Sequence, residues 1–117
     1  MRLILSFMAK YEALDEVFVA LADSTRRAVI RRLGEGPASV SELARPFAIT
    51  LPSFLKHVRV LESSGLVRTA KSGRVRMCTL DRERLALVDG WLAEQRHVWE
   101  GRTDRLAAFV TELKEPS

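Results

Sequence analysis

Hydrophobic residues recur with helical spacing in the first third of the chain. Four of them fall at positions i, i+3, i+4 and i+7: Leu14, Val17, Phe18 and Leu21. This spacing predicts an amphipathic helix over residues 11–22. A second helix is predicted over residues 25–33, because Asp23 or Ser24 can cap its start and Gly34 can end it.

Two more helices are predicted in the middle of the chain. Ser41 is expected to cap the third, and Pro46 limits its length or kinks it. Thr50 is expected to cap the fourth, whose apolar residues Phe54, Val58 and Leu61 recur at i, i+4 and i+7 and are expected to face the core. Its other faces carry Leu51, Ser53, Leu55, Lys56, Arg59 and, in part, His57.

A β-hairpin is predicted directly after the fourth helix. Gly65 is expected to end that helix in the left-handed conformation. Two short strands are then predicted, at about residues 66–70 and 75–80, and Gly73 permits a tight turn between them. Helix, turn, helix and hairpin in this order predict a mainly α fold with a small β-hairpin wing, the winged helix-turn-helix.

The last third is predicted to be one long helix over residues 82–114. Its apolar residues recur every seven positions: Leu85, Leu92, Trp99, Leu106 and Leu113. Gln95 and Arg102 occupy the intermediate positions, which argues against a free-standing coiled coil. The stripe exceeds what so small a core needs, so we expect a second copy to cover it together with the first helix. The expected dimer interface consists of Leu14, Phe18, Leu21, Leu92, Trp99, Leu106 and Phe109.

Positive charge is concentrated on the predicted helix-turn-helix and wing. Residues 41–76 contain seven Lys or Arg and two Glu, a net charge of +5. The first 40 residues carry +1 and the last 41 carry −2, within a total of +4. Because the charge lies where the chain is shaped to meet a DNA groove, we interpret the protein as binding double-stranded DNA.

A chain of 117 residues is expected to form a single domain. We expect a flexible arm over residues 1–10 and one winged-helix domain over residues 11–114. The expected parts of that domain are dimerisation helices at 11–22 and 82–114, a helix-turn-helix at 41–64 and a wing at 66–80. No apolar run approaches membrane-spanning length, and one cysteine fits a reducing cytoplasm.

Three segments of the chain resemble the ArsR/SmtB family of small bacterial and archaeal winged-helix transcriptional repressors. They are ALADSTRR at 20–27, SELA at 41–44 and LPSFLKHVRVLESSGLV at 51–67. The similarity covers roughly residues 11–80, and the long last helix fits the family's shape. It implies a cytoplasmic homodimer, paired through its first and last helices, that binds a palindromic operator. Release of DNA would follow binding of an effector, whose identity the sequence does not give.

The resemblance places DNA contacts on the fourth helix and at the wing tip. With the other residues outside the core face, the candidate DNA-binding set is Leu51, Pro52, Ser53, Leu55, Lys56, His57, Arg59, Arg74 and Arg76. Leu55 stands where the family often has serine, and a leucine can contact a thymine methyl group. Metal-sensing members carry a cysteine pair in the helix that here begins at Ser41 and contains no sulfur. We therefore expect a member that senses no metal and holds no cofactor.

Several residues admit two interpretations. Cys78 is either a structural thiol or a redox sensor that forms an intermolecular disulfide. His97, Glu100 and Asp104 lie at i, i+3 and i+7, and form either a solvated face or an ion site at a dimer interface.

The arginines of the second helix and one histidine are similarly open. Arg26 and Arg27 belong either to a solvated face or to a phosphate contact. His57 is either structural, a phosphate contact or a titrating switch.

The sequence offers no support for an enzyme. It contains no nucleophile beside a base, no phosphate-cradling glycine loop and no metal-ligand pair. The alternative to a DNA-binding regulator is a winged helix that docks onto another protein without specific DNA binding. The charge of the wing and the fourth helix argues against that alternative.

Overall fold

The computed structural model describes the main chain of residues 2–114 and the side chains of residues 8–113. Its elements in chain order are α1 (Arg2–Leu21), α2 (Ser24–Leu33), β1 (Ala38–Ser39), α3 (Val40–Ala44), α4 (Leu51–Ser63), β2 (Val67–Ser72), β3 (Val75–Leu80) and α5 (Arg82–Lys114). The strands form an antiparallel sheet in the order β1-β3-β2. The expected mainly α fold with a hairpin wing is confirmed, and β1 is an addition to it.

The first helix starts earlier than the sequence pattern predicts. We expected an arm over residues 1–10, whereas α1 is helical from Arg2. Residues 2–10 contain no proline or glycine and include the good helix formers leucine, methionine, alanine and lysine, so nothing local ends the helix there.

The third helix is capped by a different serine from the one expected. Ser39, and not Ser41, is the N-cap, and its Oγ accepts a hydrogen bond of 3.1 Å from the backbone N–H of Glu42. Ser39 has the extended conformation that an N-cap needs because it pairs with Met77 of β3. The helix ends at Ala44, before Pro46.

The hydrophobic core lies between the helices and the inner face of the sheet. Phe54, Val58 and Leu61 of α4 are 0%, 3% and 0% exposed, which confirms the predicted core stripe. The other helices and the sheet contribute Leu14, Val17, Ala20, Val29, Leu33, Leu43, Leu66, Val67 and Cys78. Phe47 is only half-buried, although it stacks on Phe54 with ring centroids 5.7 Å apart.

The wing is a hairpin with a two-residue loop. Ser72 pairs with Val75, so the strands are joined by Gly73 and Arg74 alone. Gly73 has φ of +63°, while no residue other than glycine has a positive φ in the described chain. A glycine at the first of two loop positions is what a type II′ hairpin turn requires, and the predicted turn is thereby confirmed.

The chain divides into two compact units, one ending at Ala86 and one beginning at Leu87. The first contains every element up to the start of α5. Within the described residues, the second is the remainder of α5.

Candidate nucleic-acid interface

Helix α4 presents one face to the core and the opposite face to solvent. Its start is fixed by Thr50, whose Oγ1 accepts a hydrogen bond of 3.3 Å from the backbone N–H of Ser53. Proline at position 52 costs no helical hydrogen bond in the first turn. The exposed candidates on this helix are Leu51, Pro52, Ser53, Lys56 and Arg59, while Leu55 and His57 are half-buried.

Arg26, near the start of α2, connects α1 to α4. Its Nε and Nη2 donate hydrogen bonds of 2.7 and 3.0 Å to the carbonyls of Ala20 and Val19, at the end of α1. Its Nη1 lies 3.1 Å from Nδ1 of His57 on α4. The side chain of Arg26 thus joins the C-terminal end of α1 and the N-terminal end of α2 to the middle of α4.

These contacts change the interpretation of Arg26 and His57. The guanidinium of Arg26 makes three hydrogen-bond contacts within the protein, which favours a structural role over a phosphate contact. An arginine only donates, so in its contact with Arg26 the Nδ1 atom of His57 is the acceptor. His57 thus links α4 to α2. Arg27 also has a protein partner, since its Nη1 donates to the carbonyl of Leu21 at 2.8 Å.

Asp23 completes this cluster. It caps α2 by accepting a hydrogen bond of 3.0 Å from the backbone N–H of Arg26, and its carboxylate lies 3.6 Å from Nδ1 of His57. The hydrogen bond from the Arg26 backbone lowers the pKa of the Asp23 carboxyl from its usual value of 3.8.

The joint between α4 and the wing is fixed by residues that the sequence pattern did not single out. Ser64 is buried, and its Oγ donates to the carbonyl of Leu61 at 2.8 Å and accepts from the N–H of Leu66 at 3.2 Å. Arg84 donates from Nε to the carbonyl of Ser64 at 2.8 Å. Gly65 has φ of +80°, and a Cβ there would lie 2.5 Å from the Arg84 Nε, so only glycine fits.

The wing tip carries side chains without protein partners. Lys71, Arg74 and Arg76 are exposed, and none of them forms an ion pair in the described part of the chain. Arg68, at the base of the wing, differs because it pairs with Asp81 at 3.4 Å.

The residues predicted to form a dimer interface differ widely in exposure. In the first unit Leu14 is only 6% exposed and belongs to the core, while Phe18 and Leu21 are half-buried. Leu14 therefore has little surface to offer a partner, contrary to our expectation. In the second unit the predicted residues Leu92, Trp99, Leu106 and Phe109 are all exposed.

The remaining candidates are resolved in part. Cys78 is fully buried on β3, and burial raises the pKa of its thiol. No group of three or more His, Cys, Asp or Glu among residues 8–113 is arranged to hold a metal ion. Within the same range, no helix is both long and apolar enough to cross a membrane.

Comparisons with known proteins agree with this geometry. A family model described as a helix-turn-helix domain matches residues 21–70. The HTH-type transcriptional regulator Rv2034 of Mycobacterium tuberculosis is 40% identical over 79 residues, which are 68% of this chain and 74% of that protein. A crystal structure of an ArsR family transcriptional regulator is 57% identical, with a TM-score of 0.74, and the match covers 76% of this chain and 92% of that one.

A third comparison extends the likeness in fold. The homodimeric winged helix-turn-helix DNA-binding domain Mb0332 of Mycobacterium bovis has a TM-score of 0.62 at 19% identity, over 78% of this chain and 86% of its own. The fold and the site define a winged helix-turn-helix protein. The chain belongs to the ArsR family of winged helix-turn-helix transcriptional regulators.

Proposed function

We propose that this protein is a homodimeric repressor that binds a palindromic operator in double-stranded DNA. Helix α4 enters the major groove, and the β2–β3 wing follows the adjacent phosphate backbone. The residues that carry recognition are Leu51, Pro52, Ser53, Lys56, Arg59, Arg74 and Arg76. Leu55 and His57 support the position of the helix.

The observation that carries this proposal is a difference between two groups of cationic side chains. One group is hydrogen-bonded within the protein, and the other is exposed on α4 and the wing without a protein partner among the described residues. Arginines at the joints of the scaffold are bound to the protein's own carbonyls, as Arg26, Arg27 and Arg84 show. Lys56, Arg59, Arg74 and Arg76 lie exposed on α4 and the wing, and no hydrogen bond or ion pair joins them to another described side chain. Exposed cations without protein partners on one helix and one hairpin match the regular negative charge of a duplex.

The proposed dimer rests on apolar surface that each unit exposes. In the second unit, Trp99 is 69% and Leu106 is 63% exposed, on a stripe that also includes Leu92 and Phe109. In the first unit, Tyr11 and Val19 are exposed on α1. Contiguous apolar surface on a helix marks an interaction site. The neighbour from Mycobacterium bovis, which is described as homodimeric, supports the same assembly.

A palindromic operator follows from that assembly. One winged helix offers few base contacts, whereas two copies related by a two-fold axis read two half-sites about one helical turn apart.

The test is a titration against DNA selected by the protein itself. Wild-type protein is used to select duplexes from a random library, and binding is then measured by fluorescence anisotropy. Lys56→Ala should weaken binding to the selected duplex by about fivefold to 150-fold, because a good base contact contributes about 1–3 kcal/mol. The matched control is Arg31→Ala, which removes one exposed cation from α2 and should change affinity by less than about twofold.

Two outcomes would contradict the proposal. Failure to retain any duplex at low salt would favour the alternative, a winged helix that docks onto a protein. Retention of all duplexes equally, with no enriched sequence, would leave a non-specific binder and exclude an operator.

A further inference from the structure

Two large aliphatic side chains stand exposed where α4 begins. Ile49, in the turn before the helix, is 44% exposed, and Leu51, the first helical residue, is 54% exposed. Pro52 beside them is exposed as well. The start of α4 is therefore an apolar surface, although it lies in the most basic part of the chain.

Several polar groups at the start of α4 already form hydrogen bonds within the helix. Pro52 has no N–H, the N–H of Ser53 donates to Thr50 Oγ1 at 3.3 Å, and the N–H of Phe54 donates to the Thr50 carbonyl at 3.0 Å. The Thr50 hydroxyl itself donates to Ser53 Oγ at 3.0 Å. The side-chain donors left at this end of the helix are the Ser53 hydroxyl and, one turn further on, the Lys56 amine.

The major groove contains one apolar group that matches such a surface. Of the four base edges exposed there, only thymine carries a methyl group, at C5. In helix-turn-helix proteins the first residues of the recognition helix reach the base edges. An aliphatic side chain at that position gains free energy by covering the methyl group and loses no hydrogen bond.

We propose that Ile49 and Leu51 read thymine C5-methyl groups, so each half-site contains thymine where the start of α4 meets the groove. This inference rests on the proposed DNA binding and specifies its chemistry. The sequence suggested that Leu55 contacts a thymine methyl group. The inference assigns that contact to Leu51 and Ile49 instead, because Leu55 is half-buried and Leu51 is more exposed.

The experiment removes the methyl group and leaves every hydrogen bond in place. In the duplex selected by the wild-type protein, each thymine of the half-site is replaced in turn by deoxyuridine, symmetrically in both halves. A methyl-sized group contributes a burial free energy of about 0.8 kcal/mol, so loss of one methyl contact should weaken binding about fourfold. A symmetric replacement removes one methyl contact from each half-site and should therefore weaken binding about fifteenfold. Thymines outside the contact should change affinity by less than about twofold.

Variants connect the methyl group to the side chain. Leu51→Ala and Ile49→Ala should each bind the thymine duplex more weakly and each lose sensitivity to deoxyuridine at one position. Both side chains are about half exposed and lie outside the hydrophobic core, so these variants should fold normally. The matched control is Val98→Ala, which truncates an aliphatic residue on α5 that is 44% exposed, and it should keep the full deoxyuridine effect.

The outcomes separate this inference from the proposed function. Specific binding in which every deoxyuridine replacement changes affinity by less than twofold would overturn the inference and leave DNA recognition intact. A deoxyuridine effect of the same size in wild type, Leu51→Ala and Ile49→Ala would also overturn it, because the methyl would then act through DNA shape. Absence of any sequence-selective binding would overturn the proposed function itself and this inference with it.

Discussion

The guanidinium Nη1 of Arg26 lies 3.1 Å from Nδ1 of His57, and this contact joins α2 to the helix that we propose enters DNA. The same guanidinium holds two carbonyls at the end of α1. The recognition helix is therefore oriented by a polar brace as well as by its apolar face.

Replacing Arg26 should destabilise the protein more than replacing its neighbour. Arg26→Ala removes three hydrogen bonds, two of them partly buried and one exposed, and at about 0.5–1.5 kcal/mol each the expected loss is about 2–3 kcal/mol. Arg27→Ala removes one exposed bond to Leu21, and the expected loss is about 0.5 kcal/mol. Urea denaturation of the two variants measures the difference. Equal losses would show that the brace contributes nothing beyond one surface hydrogen bond.

Asp23 should make part of the stability depend on pH. The hydrogen bond from the Arg26 backbone lowers the pKa of this carboxyl below 3.8, so in acid the unfolded chain binds a proton that the folded chain resists. Stability from this group is therefore present above pH about 4 and is lost as pH falls towards the folded pKa. Asp23→Asn keeps a capping acceptor but cannot titrate, so the gap in unfolding free energy between wild type and variant should narrow below pH about 4. If the unfolding free energies of wild type and Asp23→Asn differ by the same amount from pH 7 to pH 3, the lowered pKa of Asp23 would be contradicted.

Local patterns predicted the parts of the fold that depend on local spacing. The core stripe of α4, its Thr50 cap and the Gly73 turn follow from neighbouring residues, and all three are present. Strand β1 was missed because two residues carry no periodicity, and Ala38 is extended only because it pairs with Cys78, far along the chain. The Ser39 cap was missed for the same reason.

The candidate site shows a similar division. The exposed face of α4 could be predicted, because it consists of the residues of this helix that lie outside the apolar stripe. The brace could not, because Arg26 and His57 are 31 positions apart and no spacing rule connects them. Leu14 was assigned to an interface because its helical face is apolar, and periodicity does not distinguish a face buried inside the unit from one that awaits a partner.

The wing arginines should contribute to DNA affinity through phosphates alone. Arg74→Gln with Arg76→Gln should weaken binding to every duplex by a similar factor, because phosphate contacts carry no sequence information. The slope of log affinity against log salt should flatten by about two units if both arginines neutralise phosphates. Lys10→Gln with Arg31→Gln makes the same change in charge on α1 and α2 and should leave the slope nearly unchanged. If the two double variants change the salt slope equally, the change would reflect net charge in general and not a contact made by the wing.

Metal ions should not alter DNA affinity. Cys78 is fully buried with a raised thiol pKa, which disfavours the thiolate that a metal requires. We expect the same operator affinity in chelator and with stoichiometric zinc, cadmium or arsenite. A tenfold loss on adding one of them would reveal a site, and His97→Ala and Cys78→Ser would then show whether either residue supplies a ligand.

Disruption of the exposed stripe on α5 should separate specific from non-specific DNA binding. Trp99→Glu or Leu106→Glu places a charge on the stripe that we propose a second copy covers, and desolvating that charge in an apolar interface is costly. Each variant should sediment as a monomer, or fail to fold if assembly is needed for stability. Both residues are largely exposed in the single chain, so a folded monomer is the expected result.

The monomer should then lose the operator far more than it loses random DNA. Specific binding sums two half-sites held at a fixed spacing, whereas non-specific binding depends on the cations of each copy alone. Lys56→Ala supplies the converse control, because it should remain a dimer while binding the operator less tightly. Sedimentation and anisotropy titrations on the three variants measure both properties. A dimer that survives both glutamate substitutions would place the interface on a surface other than the Trp99 and Leu106 stripe.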